Sequence, residues 1–91
     1  MKQYRIVCDL ELFEDGRTTK FFNKYAPQSK MYYADIEAAE RDLQMISEAC
    51  QWENLSYDFK KSRGVPAKFV TNIRIQEREI SEWTEIEKEE K

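Results

Sequence analysis

The chain reads as an α+β fold, with a single helix packed on one face of an antiparallel, four-stranded sheet in the element order β-β-α-β-β. Three observations predict it. Apolar and polar residues alternate from Tyr4 to Leu12, an Asp15-Gly16 pair follows in a hairpin position, and one amphipathic segment at 35–50 separates this half from two further alternating runs.

In the first strand Tyr4, Ile6, Cys8, Leu10 and Leu12 share one face, while Arg5, Asp9 and Glu11 share the other. Asp15-Gly16 suits a type I′ turn, which needs positive φ at both central residues. A two-residue loop then sets Leu12 opposite Thr19, Leu10 opposite Phe21 and Ile6 opposite Tyr25, with Glu11 facing Lys20 on the outer side. Ala26-Pro27 ends the second strand, because proline offers no donor to a ladder.

Asp35 is the expected N-cap of the helix, and Glu37 falls in its first turn, where a carboxylate favours the dipole. Ile36, Ala39, Leu43, Ile46 and Cys50 form one apolar stripe. Ala38, Met45, Ala49 and, if the helix continues, Trp52 form a second, about 120 to 130° round from the first. One stripe covers the sheet; the other is either more core or a surface for a partner.

Leu55, Tyr57 and Phe59 alternate with Ser56, Asp58 and Lys60, which predicts a third strand. Arg63-Gly64-Val65-Pro66 reads as a turn, and Ala67, Phe69, Thr71, Ile73 and Ile75 as the inward positions of a fourth strand. Beyond Gln76 two periods compete: Ile80, Trp83 and Ile86 suit a helical three-step, while Ser81 to Trp83 suits an extended strand shifted by a bulge near Arg78, and the strand is preferred. Residues 1–86 are thus expected to form one domain and 87–91 a charged, frayed tail, since a chain of 91 residues is too short to divide its core.

Composition narrows the function classes. The formal net charge is −3, and seven acids stand against three bases from Glu77 onward, which argues against a general nucleic-acid binder. No apolar run reaches the roughly 18 residues of a membrane span. Two isolated cysteines and no leader-like segment point to reduced thiols and a cytoplasmic protein.

The chain contains no histidine, which removes the commonest general base and metal ligand. Cys8 and Cys50 lack further soft ligands nearby, the acids lack the loop spacing of a calcium site, and neither glycine turn is a phosphate cradle. No enzyme activity, no cofactor and no metal are therefore expected. Lys60, Lys61, Arg63 and Lys68 cluster with Tyr57 and Phe59 around the second turn, a combination able to clamp a single strand of nucleic acid. The alternation places both rings on the buried face, so they are expected to fill the core instead.

The closing phrase Arg78-Glu79-Ile80-Ser81-Glu82-Trp83 resembles the "REVSEW"-like ending of small bacteriophage and prophage proteins of unknown function. That resemblance implies an origin on a mobile element, where compact proteins often act by binding and blocking host machinery, defence nucleases included.

The expected function is accordingly a non-enzymatic, inhibitor-like binding module for a host or phage protein. Its contacts are expected at Glu37, Met45, Glu48 and Trp52 of the helix and at Glu79, Glu82 and Trp83 of the last strand, with carboxylates able to imitate phosphates in a basic groove. The alternatives are a single-stranded nucleic-acid-binding accessory protein using Lys60, Lys61, Arg63 and Lys68, and a homodimeric assembly protein joined through the second helix stripe.

Overall fold

The computed structural model describes residues 1–80. The expected strand continuation at 81–83, the contacts Glu82 and Trp83, the domain limit at residue 86 and the tail lie outside the described residues. Asp15 and Gly16 turn the chain between β1 (Lys2–Glu14) and β2 (Arg17–Tyr25), with φ of +54° and +75° as the type I′ geometry requires. There follow α1 (Ile36–Leu55), the short α2 (Tyr57–Ser62) and β3 (Ala67–Glu79). The strands are antiparallel in the order β2-β1-β3, so β1 is central and β3 forms an edge.

The sheet has three strands where four were expected, in the element order β-β-α-α-β. Leu55, Tyr57 and Phe59, which alternate like a strand, lie at the end of α1 and in α2. α1 continues past Cys50, the chain breaks step at Ser56, and α2 restarts with Asp58 in its first turn and Lys60 and Lys61 in its last, where each charge complements the dipole. Three apolar residues at alternate positions fit one and a half helical turns as readily as a short strand. Only Tyr57 of the three is buried.

Leu12↔Thr19, Glu11↔Lys20 and Leu10↔Phe21 pair as the turn dictates. Further along, Tyr25 stands opposite Val7 rather than Ile6, because β2 carries one extra residue between the Cys8↔Lys24 and Leu10↔Phe21 pairs. β3 does the same between Val7↔Arg74 and Asp9↔Thr71. The bulge expected near Arg78 therefore sits at Asn72, and the β3 register is unbroken from Arg74 to Glu79. Asn23 and Asn72 both have φ of +54°, a conformation that asparagine tolerates better than most L-residues. Two matched bulges thus flank Asp9 of the central strand.

α1 covers one face of the sheet. Asp35 caps it by accepting the Glu37 N–H at 3.0 Å. Its inward residues Ala39, Ile46 and Cys50 pack with Ile6, Cys8, Ala26, Tyr33 and Val70, and Leu10, Leu43, Ile73 and Ile75 close the margin. Burying each large aliphatic side chain contributes roughly 1.5 to 3 kcal/mol. The Tyr33 hydroxyl donates to Asp42 at 2.6 Å and accepts the Lys30 N–H at 3.1 Å, tying the loop before α1 to the helix. A second cluster joins Phe13, Ala67 and Phe69 to Tyr57 of α2. Phe13 has the opposite parity in β1 from Ile6, Cys8 and Leu10, so α2 reaches round the β3 edge to the other face.

Candidate functional site

The continuation of α1 past Cys50 places Met45, Trp52 and Leu55 on its outer surface, and Phe59 follows in α2. Their exposures are 66%, 75%, 76% and 62% respectively. The steps of seven and three residues set Met45, Trp52 and Leu55 on one line of α1, and Phe59 belongs to α2 beyond the break at Ser56. Of the second stripe expected from the sequence, Ala38 packs against the core, whereas Met45, Ala49 and Trp52 face solvent. Leu55 and Phe59 were expected to point inward as strand residues, so their exposure was missed. For Leu55 the signal was present in its helical spacing from Met45 and Trp52.

Carboxylates surround this line. α1 carries Glu37, Glu40, Asp42, Glu48 and Glu53 against a single base, Arg41. Glu48, between Met45 and Trp52, is exposed and accepts from Gln44 Nε2 at 2.9 Å. Glu37 is exposed in the first turn. Glu79 lies elsewhere: its carboxylate is 3.5 Å from the N-terminal ammonium, nine residues along β3 from the Val70 that α1 holds, roughly 30 Å at strand rise.

The four cations of the nucleic-acid alternative occupy separate environments. Lys61 lies 4.0 Å from Glu11 and above the rings of Phe13 and Tyr57. Lys68 lines a groove with Ile46, Cys50 and Glu53 on the α1 side. Arg63 covers Phe59 at 4.8 Å, and Lys60 is half-buried. Tyr57 is in the core with its hydroxyl donating to Glu11 at 2.5 Å, and burial followed by that bond pushes its pKa up to about 12.

The face of the sheet opposite α1, on which alternation sets Arg5, Asp9 and Glu11 together, carries a polar arrangement. Arg5 Nε donates to Gln76 Oε1 at 2.8 Å, with the guanidinium 5.6 Å above the Tyr25 ring. Arg78 donates through Nε and Nη2 to Gln3 Oε1 at 2.8 and 2.6 Å, and lies 5.0 Å above the Tyr32 ring. A hydrogen bond from Tyr32, another from Arg5 and the positive charge of both arginines hold the Tyr25 phenol below its ordinary pKa. The bulges place a second cluster beside this one. Asp9 accepts from the Asn72 side chain at 3.1 Å and from the Asn23 N–H at 3.3 Å, with Arg74 at 3.7 Å, while Arg74 also bonds the Asn23 side chain and the Asn72 carbonyl.

Cys8 and Cys50 are free and buried in one cluster, and burial raises both thiol pKa values above the ordinary range. Among the described residues no three His, Cys, Asp or Glu side chains gather as a metal site, and no helix is long and apolar enough to cross a membrane. No protein-family model matches the chain, and no curated protein or solved structure matches it.

Proposed function

We propose that this chain is a non-enzymatic protein-binding module of the phage and mobile-element type, which acts by occupying a surface on a host protein. The observation that carries this reading is the line Met45, Trp52 and Leu55, three large apolar side chains left in water by a helix whose opposite stripe already fills the core, with Phe59 of α2 exposed next in the chain. Tryptophan and methionine are enriched at the centres of interfaces, and a helix laid into a groove presents this spacing. The carboxylates of α1 select the partner's charge. They favour a cationic surface with an apolar pocket, as in the substrate groove of a nucleic-acid enzyme, and a defence nuclease is the target class we favour. The same carboxylates would repel a second α1, so a foreign partner is preferred to a homodimer.

Affinity capture from host lysate tests the proposal. A protein retained by the wild type should be lost with Trp52→Ala and with Glu48→Lys, while the melting temperature of each variant stays within about 2 °C, as for surface substitutions generally. Capture that survives both substitutions removes this surface from the function.

A further inference from the structure

The face of the sheet opposite α1, which α2 covers only at its Phe13 end, bears a second recognition chemistry, unrelated to the α1 line. Gln3, Arg5 and Val7 share that face in β1, and their ladder partners Arg78, Gln76 and Arg74 continue it in β3. On β2, Lys20 pairs with Glu11 and so lies on this side; Phe22 follows at the same parity. The extra residue at Asn23 then brings Tyr25 opposite Val7 on the same face, where strict alternation would have turned it away. Phe22 is 70% exposed, and Tyr25 and Tyr32 are also exposed.

Arg5 and Arg78 are oriented by neutral partners. Each is held by a glutamine amide oxygen and backed by a tyrosine ring, and among the described residues neither has a carboxylate within ion-pairing distance. A guanidinium has five N–H groups; the glutamine contacts use one on Arg5 and two on Arg78, and the Tyr25 hydroxyl takes another from Arg5. The remaining donors are fixed in direction and keep their charge for an anion. Gln3, Arg5, Tyr32, Gln76 and Arg78 line a depression between them together with Tyr4 and Glu77, whose carboxylate is taken up by Lys2 at 3.4 Å.

We propose that this face binds single-stranded nucleic acid, with Arg5 and Arg78 on backbone phosphates and Phe22, Tyr25 and Tyr32 as stacking surfaces for unpaired bases. Open rings beside oriented guanidiniums suit a ligand that alternates anionic groups with flat aromatic ones. A duplex keeps its base faces covered, and an acidic peptide offers charge without the flat groups. Among the described residues the five acids of α1 lie across the other face of the sheet, Glu77 and Glu79 alternate with Arg78 toward that face, and the strand carboxylates on this one, Asp9 and Glu11, are paired with Arg74 and with Lys20 and Lys61.

Fluorescence anisotropy with a labelled oligothymidylate of about fifteen nucleotides, near the span of a single binding domain, tests the proposal. At low salt we expect saturable binding that weakens as salt rises. The double variant Arg5→Gln/Arg78→Gln should bind about tenfold more weakly or worse, with the log–log salt slope smaller by about 1.4 for two lost phosphate contacts. Tyr32→Leu should weaken binding with the slope unchanged, and Trp52→Ala, which removes the partner contact proposed above, should bind as the wild type does. Circular dichroism on each variant confirms the fold. Absence of binding at low salt overturns the proposal, as does an undiminished affinity in the double arginine variant. Equal binding of a duplex would overturn the stacking role, and equal binding of polyglutamate would reassign the face to an acidic protein segment.

Discussion

The side chain of Asn54 pairs with the backbone of Val70 from both ends: its Nδ2 donates to the Val70 carbonyl at 2.7 Å and its Oδ1 accepts the Val70 N–H at 2.8 Å. β3 is an edge strand, so these backbone groups would otherwise face water or another chain. One helical asparagine thus stands in for a missing neighbouring strand and clamps α1 to the sheet edge. Asn54→Ala loses two hydrogen bonds and should cost about 2 kcal/mol, read as a lowered urea midpoint at unchanged m-value. Asn54→Asp keeps the acceptor for the N–H and sets a carboxylate against the carbonyl, so it should be no more stable than the alanine variant.

Tyr57 and Glu11 supply an alkaline signature. The folded pKa of Tyr57 lies near 12, above its ordinary value of 10.0. A group raised in this way contributes stability that is complete below the unfolded pKa and is lost as pH rises through the folded one. Wild-type stability should therefore fall between about pH 10 and 12 in part through Tyr57. Tyr57→Phe should lose about 1.5 kcal/mol at neutral pH, as for a hydrogen bond to a charged acceptor, and show a shallower decline in that window. Equilibrium denaturation across the range measures both.

Asp9 gives the opposite sign. Its carboxyl is held below the ordinary 3.8 first by the Asn72 side-chain hydrogen bond, with the Asn23 N–H and Arg74 adding to it. The resulting stability is present above the unfolded pKa and is lost as pH falls through the depressed folded one. Asp9→Asn should flatten the acid limb of the stability profile and lower stability at neutral pH. Asn72→Ala should move the same limb the same way, because it removes the largest of those contacts.

The two cysteines should be silent in the native protein. Cys8 is fully buried and Cys50 is 5% exposed, and both thiols are harder to ionise than usual. A thiol reagent at pH 8 should label both together at the rate of unfolding and neither before it. Rapid native labelling of Cys50 would show that its groove opens independently.

Much of this arrangement was legible in the chain, and the failures have physical causes. Asp15-Gly16 and the Leu10, Glu11 and Leu12 pairings followed from turn chemistry, and Asp35 from its capping oxygen. The misplaced Tyr25 did not follow, because Asn23 looks like any polar strand residue until its left-handed backbone inserts an extra step. Leu55, Tyr57 and Phe59 suit two periods over five residues, and packing of Tyr57 against Phe13 and Phe69 goes with the helical one. The Met45 and Trp52 line was visible as a second stripe, and its exposure became readable only once the first stripe was seen to fill the core. The Arg5 and Arg78 cluster depends on three strands and a loop coming together, which local spacing does not encode.

The central claim is that the line through Met45 and Trp52 is free to grip a partner, and the most direct measurement compares wild type with Met45→Ala/Trp52→Ala in paired affinity capture and thermal unfolding. The account predicts a partner retained by the wild type and lost by the double variant, at melting temperatures equal within about 2 °C. A double variant that captures the same partner equally well, or that melts several degrees lower because those side chains belong to the core, would contradict it.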